Sequence, residues 1–147
     1  SYGVPGLRLG VLASGCVDEI SRMKKDVSIW NINSFGEYFL QIVGNYKTEY
    51  KEGCGRIAAE RNRFMNELKK ISFLKVYPSA ANFVLVEVLP PYTSLGLSER
   101  LWRDGKILFR DCSKKKGFNG YSFARIAVRN REDNDFLLGL LRALMAK

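Results

Sequence analysis

The sequence has 147 residues, 46% of them hydrophobic and 27% charged, a composition typical of a soluble globular domain. No apolar run approaches the roughly 18 residues that a membrane span needs, and no signal peptide is evident, so we expect a cytoplasmic protein without membrane contact. Histidine is absent, which excludes histidine-dependent catalytic triads and histidine-ligated metals from this segment. The three cysteines are far apart and fit neither a metal site nor a disulfide framework.

The net charge is +9, from 24 basic and 15 acidic side chains, and it raises the question of nucleic-acid binding. The basic residues are scattered and often adjoin acidic ones, and only residues 113–117 (SKKKG) form a compact basic run. That pattern indicates a solvated loop, with attraction of phosphate-bearing ligands as the alternative, rather than a nucleic-acid surface. We therefore expect no nucleic-acid partner.

The first 45 residues contain one strand pattern and two helix patterns. Residues 7–14 (LRLGVLAS) read as a short buried strand, and 17–25 as a short surface helix. Asn33 or Ser34 can cap a second helix, whose apolar face contains Phe35, Phe39, Ile42 and Val43. A near-continuous apolar strand is normally buried on both faces, yet the chain offers it no neighbouring strand.

Residues 45–71 read as one long connecting helix, because apolar residues recur at helical spacing between charges. Gly53 and Gly55 each weaken a helix by about 1 kcal/mol relative to alanine, so a bend or break is expected there.

Residues 73–147 follow the order ββαββα. The predicted strands are 73–79, 81–88, 106–112 and 121–129, and the predicted helices are 94–105 and 130–146. This order suits a small α+β layer, in which helices cover one face of a mostly antiparallel sheet.

Two arginines are candidate binding residues. Arg125 lies in mid-strand on the face of Phe123, opposite the apolar face of Ala124 and Ile126. A cation there is costly unless an anion meets it, either a carboxylate of a ligand or an Asp or Glu of this chain. Arg8 lies between glycines at the entry to a strand, a position that suits a phosphate but also a solvated strand end.

The opening segment SYGVPGLRLG resembles the segment that follows the Schiff-base lysine in fold-type I pyridoxal-phosphate enzymes. The resemblance is closest to the group of histidinol-phosphate aminotransferase and threonine-phosphate decarboxylase. The residues that match in register are Tyr2, Gly3, Val4, Pro5, Gly6, Arg8, Leu9 and Gly10. This register implies that the catalytic lysine stands immediately before Ser1 in a longer polypeptide.

Later segments are similar to the same family, in the same order, so the resemblance covers essentially the whole chain. They are WNINS (30–34), YPSAANF (77–83), ILFRDCS (107–113) and ARIAVRNREDN (124–134). The resemblance implies an α/β parent enzyme with three parts in this chain. Residues 1–45 would end the large cofactor-binding domain, 46–71 would be the connecting helix, and 72–147 the small C-terminal α+β domain.

The resemblance also implies residue roles. Arg8 corresponds to the arginine that binds the phosphate of pyridoxal 5'-phosphate, and Arg125 to the arginine that pairs with the substrate α-carboxylate. Gly3, Gly6 and Gly10 would let the backbone turn tightly beside the cofactor. Asn82, Arg110 and Arg129 receive no firm role. Since the lysine is missing from the 147 residues, we expect this chain alone to be inactive and no metal to take part.

The expected function of the parent is amino transfer between an amino acid and a 2-oxo acid. Threonine-phosphate-type decarboxylation is the alternative, towards which RDCS (110–113) and Arg129 lean; a non-catalytic binding module is another. The expected partners are an anionic amino-acid substrate, the rest of the parent polypeptide and a second subunit in a homodimer. The chain alone should expose Trp30, Phe35 and Phe39, and so be poorly soluble or oligomeric.

Overall fold

A computed structural model describes residues 3–118 and 120–145 of the chain. Tyr2, which belongs to the family-like opening segment, lies outside the described residues. The chain divides into two compact units, Ser1–Glu52 and Gly53–Lys147. The division into parts at 45/46 and 71/72 remains a prediction.

The first unit is helical. A 3-10 turn over Pro5–Leu7 is followed by helix α1 (Val17–Asp26), helix α2 (Ser34–Ile42), a 3-10 turn over Val43–Tyr46 and the start of helix α3 (Lys47–Leu68). The predicted surface helix at 17–25 is confirmed, since α1 has no buried residue.

The predicted buried strand at 7–14 is wrong for the described chain. Residues 8–14 form no regular element, and Val11 and Leu12 are 96% and 62% exposed. A strand is defined by its ladder to a neighbour, and no strand is assigned within the described part of the first unit. The apolar pattern alone therefore does not make a strand here.

Asn33 connects the start of α2 to the opening segment. Its side-chain oxygen accepts a hydrogen bond from the Gly36 backbone N–H (2.9 Å), and its Nδ2 donates to the Leu7 carbonyl (2.9 Å). The predicted helix cap is thereby confirmed. A Cβ at Gly36 would lie 2.9 Å from Leu9 Cδ2, so any larger residue there would displace the end of the Leu9 side chain.

Helix α3 is continuous, and the break expected at Gly53 and Gly55 is not observed. Its C-terminal part packs into the core of the second unit through Phe64 and Leu68, which are 0% exposed. The helix penalty of each glycine, about 1 kcal/mol, is therefore too small to interrupt α3.

The second unit contains a four-stranded antiparallel sheet. Its strands are β1 (Leu74–Val76), β2 (Phe83–Val88), β3 (Arg110–Asp111) and β4 (Phe123–Ala127), and helices α4 (Ser94–Gly105) and α5 (Arg131–Met145) complete it. The order across the sheet is β1-β2-β4-β3. The predicted order ββαββα and the antiparallel pairing are confirmed.

Strand β3 is much shorter than the predicted strand at 106–112. The helix before it ends at Gly105 and is capped by Lys106, which adopts a left-handed conformation (φ 55°), and the Ile107 N–H donates to the Leu101 carbonyl. That N–H therefore serves the helix end rather than a strand ladder.

One face of the sheet forms the core. Val84 and Val86 are 0% exposed, and Ala124 and Ile126 are 0% and 3% exposed. They pack with apolar side chains of α3, α4 and α5 in one hydrophobic cluster. Within the two described ranges, no helix has both the length and the apolar character required to cross a membrane.

Candidate functional site

The other face of the sheet, which we call the open face, has a mixed character. Strand alternation places on it the side chains of Lys75, Phe83, Leu85, Glu87, Arg110, Phe123, Arg125 and Ala127. Most of them are half-buried or exposed, in contrast to the core face. Aromatic rings and two arginines are therefore displayed side by side.

Arg125 lies on this face, half-buried, as the alternation predicted. Its Cζ lies 4.9 Å from the centre of the Phe83 ring, within the range of a cation–π interaction. It forms no ion pair with any carboxylate in the described parts of the chain. The alternative of a structural ion pair thus finds no support there.

Arg110 lies directly opposite Arg125 in the β3–β4 ladder. Directly opposed residues of antiparallel strands have Cβ atoms about 5 Å apart, and like charges in such a pair are destabilising. Arg110 is exposed, and it also has no carboxylate partner among the described residues. An anion bound between the two guanidinium groups would relieve the repulsion.

The acidic side chain of the open face, Glu87, is engaged elsewhere. It accepts a hydrogen bond from the Tyr77 hydroxyl (2.8 Å) and pairs with Lys75 (3.3 Å). Glu87 is a diagonal neighbour of Arg125 in the β2–β4 register, but its charge is balanced by Lys75 on β1.

Asp111, next to Arg110 in the chain, points to the core side. Burial would raise the pKa of its carboxyl, but hydrogen bonds from the Ser94 and Ser113 hydroxyls and the Ser113 N–H outweigh it and hold the pKa below its usual value. The carboxylate thus stays ionised while it fastens the start of α4 to the end of β3.

Arg8 lies in the first unit, at the end of the turn Pro5–Leu7. It has φ 54°, its N–H bonds the Pro5 carbonyl at 3.2 Å, and its side chain is exposed. Left-handed backbone is uncommon for a residue other than glycine, so the turn fixes this cation at a cost of about 1 kcal/mol.

The residues around Arg8 fit the phosphate of pyridoxal 5'-phosphate in charge and access. The guanidinium pairs with no carboxylate of the described chain, and a phosphate is its natural bidentate partner. Gly3 has φ 75° and requires glycine; around Gly6 and Gly10 no described atom would lie within 4 Å of an added Cβ. The described structure therefore explains only the first of these three glycines.

The structure also shows the contacts of Asn82 and Arg129, to which the resemblance gave no firm role. Asn82 is exposed, and its carbonyl accepts the Val128 N–H (2.9 Å). Arg129 forms an ion pair with Asp133 (2.6 Å), one turn into the following helix. Arg129 thus has a structural partner, whereas Arg110 does not. Arg8 belongs to the first unit, and Arg110 and Arg125 belong to the second.

The sequence analysis did not recognise two features of the open face, the opposition of Arg110 to Arg125 and the Phe83 ring beside Arg125. Arg110 received no role because its position opposite Arg125 depends on strand register, which is non-local. Phe83 received none because a strand phenylalanine usually serves packing. The signal for the arginine pair is an arginine inside each of two predicted strands, 106–112 and 121–129. Over the described residues, no cluster of three or more potential metal-ligating side chains occurs.

The family model for aminotransferase class I and II matches residues 1–141. The chain belongs to this family. Members of the class I and II aminotransferase family depend on pyridoxal 5'-phosphate. The family resemblance read from the motifs is confirmed.

The similar proteins include both an aminotransferase and a decarboxylase of an amino acid phosphate. The chain is 37% identical over 148 residues to a histidinol-phosphate aminotransferase of Thermoanaerobacter sp., covering 99% of this chain and 39% of the relative. It is 36% identical over 139 residues to an L-serine phosphate decarboxylase of Campylobacter jejuni, covering 93% and 35%. The crystal structure of the histidinol-phosphate aminotransferase from Clostridium acetobutylicum matches with a TM-score of 0.85 at 30% identity, covering 97% and 42%. The chain thus spans about two-fifths of these proteins.

Proposed function

We propose that the polypeptide containing this aminotransferase-family chain transfers an amino group between an anionic amino acid and a 2-oxo acid. The observation that carries the proposal is the pair Arg110 and Arg125, opposed on the open face without a carboxylate partner among the described residues. Such a pair costs stability in the absence of an anion, so an anionic ligand gives it a reason to exist.

Each residue has a distinct part in this proposal. Arg125 binds the α-carboxylate through its planar guanidinium, and Arg110 binds a second anionic group of the substrate. Arg8 binds the cofactor phosphate. The cofactor, when bound, supplies the electron sink that the chemistry at the substrate α-carbon requires. The protein's contribution is orientation, since a fixed carboxylate limits how the α-carbon is presented.

The rest of the assembly is part of the proposal. We place the catalytic lysine immediately before Ser1, within a large domain that ends at about residue 45, and we expect the 147 residues alone to be inactive. Trp30 and Phe35 are 91% and 78% exposed, and Val11 is 96% exposed. Apolar side chains displayed in this number support burial against the remaining polypeptide or a second subunit of a homodimer. A cytoplasmic location also belongs to the proposal.

Decarboxylation of an amino acid phosphate is the second candidate. The relative named L-serine phosphate decarboxylase, at 36% identity, favours it. Two adjacent guanidinium groups suit a phosphate as well as a carboxylate. Arg129 no longer supports this candidate, because Asp133 pairs with it. A non-catalytic binding module is the third reading, and a polypeptide without the lysine before Ser1 would favour it.

The test compares two variants of the full polypeptide. Arg125→Ala should weaken substrate binding by about 2 to 5 kcal/mol and leave the retention of pyridoxal phosphate unchanged, because it removes one partner of a charge pair. Arg8→Ala should do the reverse and raise cofactor dissociation. Arg103→Ala, at an exposed position of α4, is the matched control. Equal loss of substrate and cofactor in Arg125→Ala would make Arg125 structural, and release of carbon dioxide instead of a 2-oxo acid would select the decarboxylase.

A further inference from the structure

We propose that Phe83 is a positioning residue, which holds the Arg125 guanidinium in its binding orientation without using any of its hydrogen-bond donors. The inference rests on the proposed function of Arg125. It starts from the 4.9 Å separation between the Arg125 Cζ and the centre of the Phe83 ring.

The sheet register places the ring beside the guanidinium. Leu85 is the direct partner of Arg125, and Phe83 is the direct partner of Ala127, so Phe83 is the diagonal neighbour of Arg125 on the open face. A diagonal neighbour is about 7 Å away between Cα atoms, within reach of an aromatic side chain. An aromatic ring attracts a cation over its face, whereas the five N–H donors of arginine lie in the guanidinium plane. The ring can therefore hold the cation while those donors remain available to a carboxylate.

The backbone before Phe83 is firmly held, so the ring has a fixed base. The Ser79 hydroxyl donates to the Phe83 carbonyl (2.5 Å) and accepts from the Ala81 N–H (3.1 Å). Arg61 Nη1 donates to the carbonyls of Ala80 (3.0 Å) and Ala81 (3.3 Å). These bonds run from α3 to the loop that leads into β2, and they fix where the strand begins.

Arg125 needs such a restraint because its other neighbours do not supply one. Arg110, its partner in the ladder, repels it. The carboxylate of the open face, Glu87, is bound to Tyr77 and Lys75. A free arginine side chain loses rotamer entropy when a ligand fixes it. A restraint made before binding lowers that cost, and an aromatic ring, unlike a carboxylate, does not have to be displaced by the substrate.

The test uses the full polypeptide with its cofactor and two probes. O-phospho-L-serine gives KM and kcat, and 3-phosphoglycerate, which has the same carboxylate and phosphate but no amino group, gives a dissociation constant without turnover. Phe83→Leu keeps the apolar bulk and removes the ring. It should raise KM and the 3-phosphoglycerate dissociation constant about 3- to 10-fold, from the magnitude of a partly desolvated cation–π contact, and change kcat less than about twofold.

Two further variants separate positioning from folding. Phe83→Tyr keeps the ring and should restore wild-type binding. Phe118→Leu removes a ring that packs on Phe123 (4.5 Å between centres) instead of Arg125, and should leave binding unchanged. Loss of binding in Phe83→Tyr or in Phe118→Leu to the same degree as in Phe83→Leu would mean a structural effect and overturn the proposal.

A double-mutant cycle with Arg125→Gln distinguishes failure of this inference from failure of the proposed function. If Phe83 acts through Arg125, Phe83→Leu should have no further effect in the Arg125→Gln protein. If its effect is undiminished there, the ring does not act through Arg125 and the inference is wrong while the proposed function stands. The same holds if Arg125→Gln weakens binding and Phe83→Leu does not. If Arg125→Gln leaves binding unchanged, the proposed role of Arg125 falls and this inference falls with it.

Discussion

Arg110 and Arg125 face each other across the β3–β4 ladder, on the same face of the sheet. Packing does not favour two cations at directly opposed positions. The acidic side chain of that face, Glu87, is bound by Tyr77 and Lys75. The arrangement fits a site whose stability and function are in conflict, since the feature that would bind an anion also weakens the empty sheet.

Replacement of Arg110 should reveal this conflict. We expect Arg110→Gln to raise the free energy of unfolding by about 0.5 kcal/mol, because it removes a like-charge contact, and the gain should shrink at high salt. The same change should weaken binding of O-phospho-L-serine in the full polypeptide. Urea unfolding at two salt concentrations measures the first effect, with Arg103→Gln on α4 as the control. A loss of stability in Arg110→Gln would contradict the prediction.

The contacts of Glu60, which joins α3 to α5 through Asn134, predict that the protein loses stability in acid. Hydrogen bonds from Arg63 (2.6 and 2.8 Å) lower the pKa of the Glu60 carboxyl below its ordinary value of 4.5; burial opposes this, and a bond from Asn134 (2.8 Å) adds to it. A carboxyl whose pKa is depressed by folding stabilises the native state above its unfolded pKa, and loses that effect as the pH falls through its folded pKa.

Glu60→Gln should therefore lower stability at pH 7 by about 1 to 2 kcal/mol, since it weakens charge-assisted hydrogen bonds. The variant should also lose less stability than wild type as the pH falls below about 4.5. Unfolding curves between pH 7 and pH 3 measure both effects. Glu99→Gln, at an exposed position of α4, is the control. Parallel pH profiles for wild type and Glu60→Gln would contradict the assignment.

Most elements of the second unit were predictable because their signals are local, whereas β3 is much shorter than the strand predicted at 106–112. Alternation in residues 121–129 separates Ala124 and Ile126 from Arg125, and the structure buries the first two. The cap at Asn33 was predictable for the same reason, since an N-cap is read within four residues.

The failures concern contacts between distant residues. Residues 7–14 have the composition of a strand but no ladder in the described structure, because pairing depends on a partner that a local pattern does not name. Gly53 and Gly55 do not interrupt α3, since a penalty of about 1 kcal/mol per glycine weakens a helix without necessarily ending it. The opposition of Arg110 and Arg125 required the register of two strands separated by a loop.

Lys106 offers a test of backbone strain outside the candidate site. It ends α4 in a left-handed conformation (φ 55°), for which glycine is preferred. Lys106→Gly should raise the free energy of unfolding by up to about 1 kcal/mol, because it relieves the strain. Loss of the exposed cation–π contact between Lys106 and Trp102 (5.7 Å) reduces that gain. Lys106→Ala removes that contact and keeps the strain, so it should be no more stable than wild type. Thermal unfolding of the three proteins decides, and equal stability of the glycine and alanine variants would reject the strain.

The apolar surface of the first unit predicts how the 147-residue chain behaves by itself. Trp30 is 91% exposed and Phe35 is 78% exposed, whereas the partly buried Phe39 does not show the exposure expected of it. Apolar surface of this extent favours self-association, so the chain alone should sediment as oligomers. Trp30→Ser with Phe35→Ser should shift it towards a single chain of 16.7 kDa.

Trp102→Ser is the matched control for that shift, because Trp102 is 51% exposed on α4 and belongs to the other unit. It removes a tryptophan of the same size but should leave the oligomers intact. Sedimentation velocity over a range of concentrations measures all three proteins. A monodisperse wild-type monomer that unfolds cooperatively would show that the first unit needs no further polypeptide to cover it. It would also favour an independent binding module over a part of a larger enzyme.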